Sequence, residues 1–140
     1  IYLLAAMGGS VFSYLFSPEH VAGLGASGAI FGIMGAYCVL ARRNGWDTSS
    51  VLALIFVNLL IGVVVPGIDW RAHIGGLLAG AATALGFSYT VAAPSGRNAG
   101  AARLASLSPA GRTTVEVAVC AVVLLVLVGL LQLPPGHVNL

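Results

Sequence analysis

Five runs of apolar residues, separated by short polar or glycine-containing stretches, set the pattern of this chain. They cover residues 1–16, 26–41, 50–66, 73–91 and 115–133. Each run approaches the ~20 residues that a helix needs to cross the hydrocarbon core of a membrane. An open sheet has unpaired backbone groups at its edges, which lipid cannot satisfy. The pattern therefore predicts an all-α fold, a polytopic membrane helix bundle with five spans.

The composition argues against an ordinary soluble domain. Of the 140 residues, 59% are hydrophobic and 7% are charged, with a mean hydropathy of +1.01. Soluble domains carry about 25% charged residues. We therefore expect the lipid bilayer to surround this chain. The formal net charge of +2 is too small to predict a nucleic-acid partner.

The positions of the arginines predict the orientation of the spans. Five of the six basic residues lie in the connections after the second and fourth apolar segments: Arg42, Arg43, Arg97, Arg103 and Arg112. Because basic connections stay in the cytoplasm, the second and fourth segments run inward and the others outward. We expect a multi-pass protein of a bacterial plasma membrane.

The stretch 92–114 divides the chain. It is rich in alanine, glycine and serine with scattered arginine, a composition typical of a flexible linker, here on the cytoplasmic side. Residues 1–91 then form a core of four spans, and residues 115–140 form an additional C-terminal transmembrane helix and tail. Because Ile1 already lies within an apolar segment, we expect the chain to lack an N-terminal part.

Two polar residues are the candidates for chemistry. Ser27 begins the second segment and His73 begins the fourth. The predicted topology puts both at a similar shallow depth near the non-cytoplasmic face. Polar and ionisable groups at membrane depth are costly, and a serine beside a histidine can act as nucleophile and base. A lone serine among glycines is more often a packing residue, and a lone histidine is often interfacial. The matched depth favours a catalytic dyad.

Helical spacing places further residues beside this pair. Phe31 lies one turn after Ser27 on the same helix face, where it could pack on the imidazole. Gly76 and Gly80 follow His73 on one face of the fourth segment. Small residues four apart let a neighbouring backbone approach closely. The two segments are therefore expected to pack tightly enough for the hydroxyl and the imidazole to form a hydrogen bond.

The start of the second segment has a further role. Gly25 and Gly28 flank the turn that carries Ser27 and are predicted to support it. The first N–H groups of a helix are unpaired, so they can stabilise an oxyanion. We find no third member of a triad. Asp69 precedes His73 by four residues and is expected to cap the helix rather than orient the base.

The remaining polar residues within the apolar segments are expected to have structural roles. Cys38 and Cys120 share no metal-ligand spacing, and we expect neither a metal nor a cofactor. Asn58, in the middle of the third segment, is predicted to hydrogen-bond another helix.

Both candidate segments resemble motifs of the rhomboid intramembrane serine proteases. Residues 25–32, GASGAIFG, resemble the GxSG nucleophile segment of that family. Residues 72–80, AHIGGLLAG, resemble the AHxxGxxxG segment that supplies its base. The opening helix through Phe16 and Ser17 resembles the preceding span, so the resemblance covers roughly residues 1–91. A GxSG motif alone is unspecific, whereas both motifs on successive inward-running spans are specific.

The resemblance implies an intramembrane serine endopeptidase with Ser27 as nucleophile and His73 as base. Its partners would be transmembrane substrate proteins, cleaved near the outer face. The third segment would correspond to the family's lateral gate. The family core has six spans, and the upstream spans that complete the oxyanion hole have no counterpart in this sequence. We therefore expect this chain to be inactive on its own.

Two other functions stay open. A catalytically inactive rhomboid-like protein that binds membrane spans would share the fold, but such relatives usually lose the serine or the histidine, and both are present here. A small transporter or channel component would need an acidic residue inside a span, and the predicted spans have none in their interiors.

Overall fold

Helices make up the regular structure of the computed structural model, which describes residues 1–17, 26–88 and 107–134. The helices in these ranges are α1 (Tyr2–Phe16), α2 (Ser27–Asn44), α3 (Ser49–Val64), α4 (Trp70–Ser88) and α5 (Pro109–Leu130). The described ranges contain no strand, which confirms the all-α prediction. Each helix overlaps one of the predicted apolar segments.

The helices differ in their ability to cross a membrane unaided. Within the described ranges, α5 is the one helix that is both long and apolar enough to do so. α1 and α3 are apolar but contain only 15 and 16 residues. The number of five spans therefore stays a prediction.

Backbone contact between α2 and α4 forms the centre of the bundle. The two helices run parallel. A Cβ atom on Gly76 would overlap the carbonyl oxygen of Gly28, and one on Gly80 would overlap that of Gly32. The two contacts are one helical turn apart, so the helices touch along a stripe that only glycine permits.

α1 packs against this pair in the opposite direction. A Cβ on Gly9 would lie 2.7 Å from the carbonyl oxygen of Ala72 on α4, and one on Gly32 of α2 would overlap the Cβ of Ala5. The three helices therefore meet through backbone and small side chains. The alanines buried in the described ranges are Ala5, Ala29, Ala36, Ala41, Ala79 and Ala84.

α3 contributes little to this core. Ile55 and Gly62 are its buried residues, and most of its large apolar side chains are exposed. The prediction that Asn58 bonds another helix is wrong. Its Nδ2 donates to the carbonyl oxygen of Leu54 in the same helix, at 2.8 Å. A short polar side chain can reach the carbonyl four residues earlier, so it needs no partner helix.

α5 begins earlier than its apolar segment. The Ser108 hydroxyl accepts the N–H of Gly111 at 3.2 Å, and Pro109 occupies the first turn. Both features favour a helix start at this point, although residues 109–114 are too polar to show it by hydropathy. The rest of the predicted linker, residues 92–106, lies outside the described residues. α5 packs on α1 through a small apolar cluster formed by Val11, Leu15 and Leu127.

We expect Gly80→Ala to destabilise the bundle, because the added methyl group overlaps the Gly32 carbonyl and forces α2 and α4 apart. Overpacking of this kind costs about 1–3 kcal/mol. Thermal unfolding of the full-length protein in detergent measures the effect.

Gly129→Ala in α5 is the matched control. Its Cβ would meet no described atom within 4 Å. Alanine favours a helix over glycine by up to about 1 kcal/mol, so this variant should unfold no earlier than the wild type. Equal unfolding midpoints for the two variants would contradict the proposed close contact.

Candidate active site

His73 lies one turn into α4, at the end of the bundle where α2 begins. α4 starts at Trp70 rather than at His73, which makes the histidine its fourth residue. The side chain is 6% exposed. Its imidazole stacks on the ring of Phe31 in α2, with centroids 4.2 Å apart and planes inclined by 7°. Because Phe31 is itself buried, this contact fixes the plane of the imidazole.

α3 packs against another side of the His73 imidazole. The His73 Nδ1 atom is buried and has no hydrogen-bond partner within the described residues. It faces the backbone of α3 at Gly62, where a Cβ would lie 3.4 Å from Nδ1. Gly62 could not be recognised from the sequence, because a glycine inside an apolar segment gives no indication of which residue it faces.

Ser27 is the first residue of α2, and its side chain is exposed. Ala26 precedes it as N-cap and offers no side-chain acceptor. Among the described residues, the first N–H to bond back along the helix is that of Ile30, to the Ala26 carbonyl at 3.1 Å. The N–H groups of this first turn have no acceptor among the described residues, and unpaired N–H groups at a helix start carry partial positive charge. Gly25 lies outside the described residues.

The structure brings the backbones next to Ser27 and His73 into contact but does not join their side chains. A Cβ on Gly28 would lie 3.0 Å from the carbonyl oxygen of Ala72. These two residues are the immediate neighbours of Ser27 and His73. Within the described residues, no hydrogen bond links the hydroxyl to the imidazole. The expected hydrogen bond is therefore not formed in this conformation.

Asp69 caps α4, as predicted. Its Oδ1 atom accepts the N–H groups of Arg71 and Ala72, each at 3.1 Å. Its Oδ2 atom accepts the hydroxyl of Ser13 from α1. Ser13 could not be recognised from the sequence, because a serine in an apolar helix cannot be distinguished there from a packing residue.

The site therefore combines an exposed hydroxyl at the positive end of one helix with a buried imidazole on the neighbouring parallel helix. The plane of the imidazole is held by an aromatic ring. Such a pair can support nucleophilic catalysis if the two side chains close on each other. Gly76 and Gly80 bring their helices to backbone contact, one turn and two turns below His73.

Known proteins share the part of the chain that contains this site. Residues 1–90 match the family model of the Rhomboid domain. Rhomboid protease GluP of Bacillus subtilis is 45% identical over 93 residues, which cover 61% of this chain and 18% of that protein. RHOMBOID-like protein 6, mitochondrial, of Arabidopsis thaliana is 42% identical over 88 residues, 57% of this chain and 28% of that protein.

A fungal relative adds to this set. Rhomboid-type serine protease 2 of Emericella nidulans is 30% identical over 92 residues, 61% of this chain and 18% of that protein. The chain thus spans less than a third of the length of these three relatives. No solved structure gives a significant match. The family model covers α1 to α4, the helices that build the site. With its all-helical bundle, the chain is an integral membrane protein that belongs to the rhomboid family.

Proposed function

We propose that this chain carries the nucleophile and the base of an intramembrane serine endopeptidase. Its substrates are membrane proteins, cleaved within a transmembrane segment near the non-cytoplasmic face. The observation that carries the proposal is the confinement of His73, which is buried, stacked on Phe31 and adjacent to the start of α2. Two relatives, from Bacillus subtilis and Emericella nidulans, are named as proteases, which supports the same activity.

In the proposed reaction, the Ser27 oxygen attacks the carbonyl carbon of the scissile peptide bond, and His73 takes the hydroxyl proton. The carbonyl oxygen becomes an oxyanion, which the N–H groups at the start of α2 stabilise. When the C–N bond breaks, His73 returns the proton to the leaving amine. Water then attacks the acyl-serine ester, gives its proton to His73, and releases the second product as Ser27 regains its proton.

The lack of a hydrogen bond between the Ser27 hydroxyl and the His73 imidazole in the described residues is compatible with this reaction. Hydrogen bonds between catalytic groups are often long without substrate and tighten when the substrate binds. The proposal therefore requires a movement of the Ser27 side chain, which is exposed and makes no hydrogen bond within the described residues. The imidazole is already held in place by its neighbours on α2 and α3.

A second candidate function is the binding of membrane spans without cleavage. It is favoured by the missing hydrogen bond between Ser27 and His73 in the described residues. Reconstitution of the full-length protein with a single-span membrane protein separates the two functions. A time-dependent cleavage product supports the protease. A cross-linked complex that yields no product supports the binding protein.

We expect a fluorophosphonate probe to label the full-length protein at Ser27. Ser27→Ala and His73→Ala should each lower the labelling rate by a factor of about 10⁴ or more. The double variant should react no more slowly than either single variant, because the two side chains act as a unit.

Ser10→Ala is the matched control for the serine. Ser10 is also an exposed helical serine, and its hydroxyl donates to the Ala6 carbonyl of its own helix at 3.1 Å. Its replacement should leave labelling unchanged. Labelling of the Ser27→Ala variant at the wild-type rate would refute the assignment of the nucleophile.

Phe31→Leu should lower the rate of peptide cleavage about tenfold, because the imidazole loses the flat surface that orients it and small misplacements of reacting groups are costly. Phe12→Leu is the control, since Phe12 also lies in an aromatic pair, with Phe16 at 4.3 Å between centroids, but not with His73. Cleavage rates measured at saturating substrate compare the two variants. Equal cleavage rates for the two variants would contradict a role for Phe31 in orienting His73.

Cysteine accessibility tests the proposed orientation. Pro66→Cys and Ser50→Cys place thiols at exposed positions near opposite ends of α3, in a background with Cys38 and Cys120 replaced by serine. A membrane-impermeant maleimide added to intact cells should label the first thiol and spare the second. The reverse result would place the site on the cytoplasmic face.

A further inference from the structure

Asp69 accepts hydrogen bonds from the backbone N–H groups of the helix turn that contains His73. Its carboxylate accepts the N–H groups of Arg71 and Ala72, and its own carbonyl accepts the N–H of His73 at 3.3 Å. One residue therefore accepts hydrogen bonds from three successive backbone N–H groups. The first turn of a helix frays when such donors have no acceptor, so the backbone of His73 depends on Asp69.

Ser13 ties the same carboxylate to α1. Its hydroxyl donates to Asp69 Oδ2, and only 9% of the Ser13 residue is exposed. α1 holds its end of this bond in place because it packs closely against α4. A Cβ on Gly8 would overlap the Cβ of Ala79 in α4, so the two helices have no room to slide past each other. Hydrogen bonds to charged groups are stronger than neutral ones. The start of α4 is therefore fixed to a second helix as well as capped.

We propose that Ser13 and Asp69 are positioning residues for His73, an inference that rests on the proposed function. Neither side chain hydrogen-bonds the imidazole. Ser13 acts through the backbone of the first turn of α4, and Asp69 acts through that backbone in addition to the charge that it places near His73. A displacement of about 1 Å between reacting groups can cost a factor of about 100 in rate. Loss of the tie to α1 lets the first turn move, and the imidazole then leaves the position set by Phe31.

A cap that only stabilises α4 makes a different prediction. It needs Oδ1 of Asp69 alone, so the removal of Ser13 would change folding stability and leave catalysis untouched. The positioning role instead requires the bond from Ser13 to Oδ2. Turnover should therefore change while substrate binding does not.

The experiment measures kcat and KM for cleavage of a single-span substrate by the full-length protein, with the unfolding midpoint of each variant. Ser13→Ala should lower kcat about tenfold to a hundredfold and leave KM unchanged. Asp69→Ala should lower kcat at least as far. The double variant should be no slower than Asp69→Ala, because both changes remove the same bond.

Asp69→Asn is the conservative rescue. Asparagine caps helices as well as aspartate does, and its amide group can donate to the Ser13 oxygen. This variant should regain most of the wild-type kcat. A kcat as low as that of Asp69→Ala would overturn the geometric role, because the geometry of the two bonds is preserved.

Two variants serve as controls. One changes a serine close to Ser13, and the other changes an aspartate that, like Asp69, accepts a serine hydroxyl and a backbone N–H. Ser17→Ala removes the other hydroxyl near Ser13, 3.3 Å away. Asp47→Ala removes a carboxylate at the start of α3 that accepts the Ser49 hydroxyl at 2.6 Å and its N–H at 3.0 Å. These bonds also lower the pKa of the Asp47 carboxyl. Both controls should keep the wild-type kcat, since neither touches α4.

A spectroscopic readout separates this inference from the proposed function. The imidazole resonances of His73, assigned by comparison with His73→Asn, should shift in Ser13→Ala and stay in place in Ser17→Ala. This shift does not depend on activity. If the wild-type protein neither cleaves nor labels, the proposed function fails, and the resonances alone decide the positioning role. Unshifted resonances in Ser13→Ala would overturn it, and so would an unchanged kcat if the wild-type protein cleaves its substrate.

Discussion

The site depends on the direct contact between the backbones of α2 and α4. Gly28 meets Gly76 and Gly32 meets Gly80 so closely that no side chain fits between them. In lipid, apolar side chains gain little by leaving their surroundings, so helices associate through close packing and hydrogen bonds. This glycine stripe supplies the close packing. It also sets the distance between Ser27 and His73, since each lies within a turn of the first contact.

Hydrogen bonds then determine what happens at the ends of these closely packed helices. At the end that holds the site, the N-cap residue of α2 makes no side-chain cap hydrogen bond, whereas α4 is capped by Asp69 and hydrogen-bonded through it to α1. The starts of α2 and α4 therefore differ in capping: the first has no side-chain cap, and the second is capped by a carboxylate. The serine lies at an open, positive helix end, and the histidine lies within a closed and anchored one. This contrast fits the proposed roles of Ser27, which must move to react, and of His73, which must stay in place.

Much of this arrangement could be predicted from the chain. The length of the apolar segments predicted the existence of each helix, and helical spacing placed Phe31 where it could pack on the imidazole of His73. The cap at Asp69 followed from its position before a helix start. Ser13 and Gly62 could not be found in this way, because their importance comes from contacts with residues distant in sequence. The prediction for Asn58 failed because a local bond within the helix competes with any bond between helices.

The loose packing of α3 has a mechanical consequence. α2 and α4 are joined at the glycine stripe and again at their far ends, where Arg43 donates to the Ser88 hydroxyl. α1 packs closely against both of them. α3 buries only Ile55 and Gly62. Of the helices that contact the imidazole, α3 is therefore the one with the least buried surface to lose, and it is the helix that covers the Nδ1 edge of His73, whereas the stack on Phe31 belongs to α2.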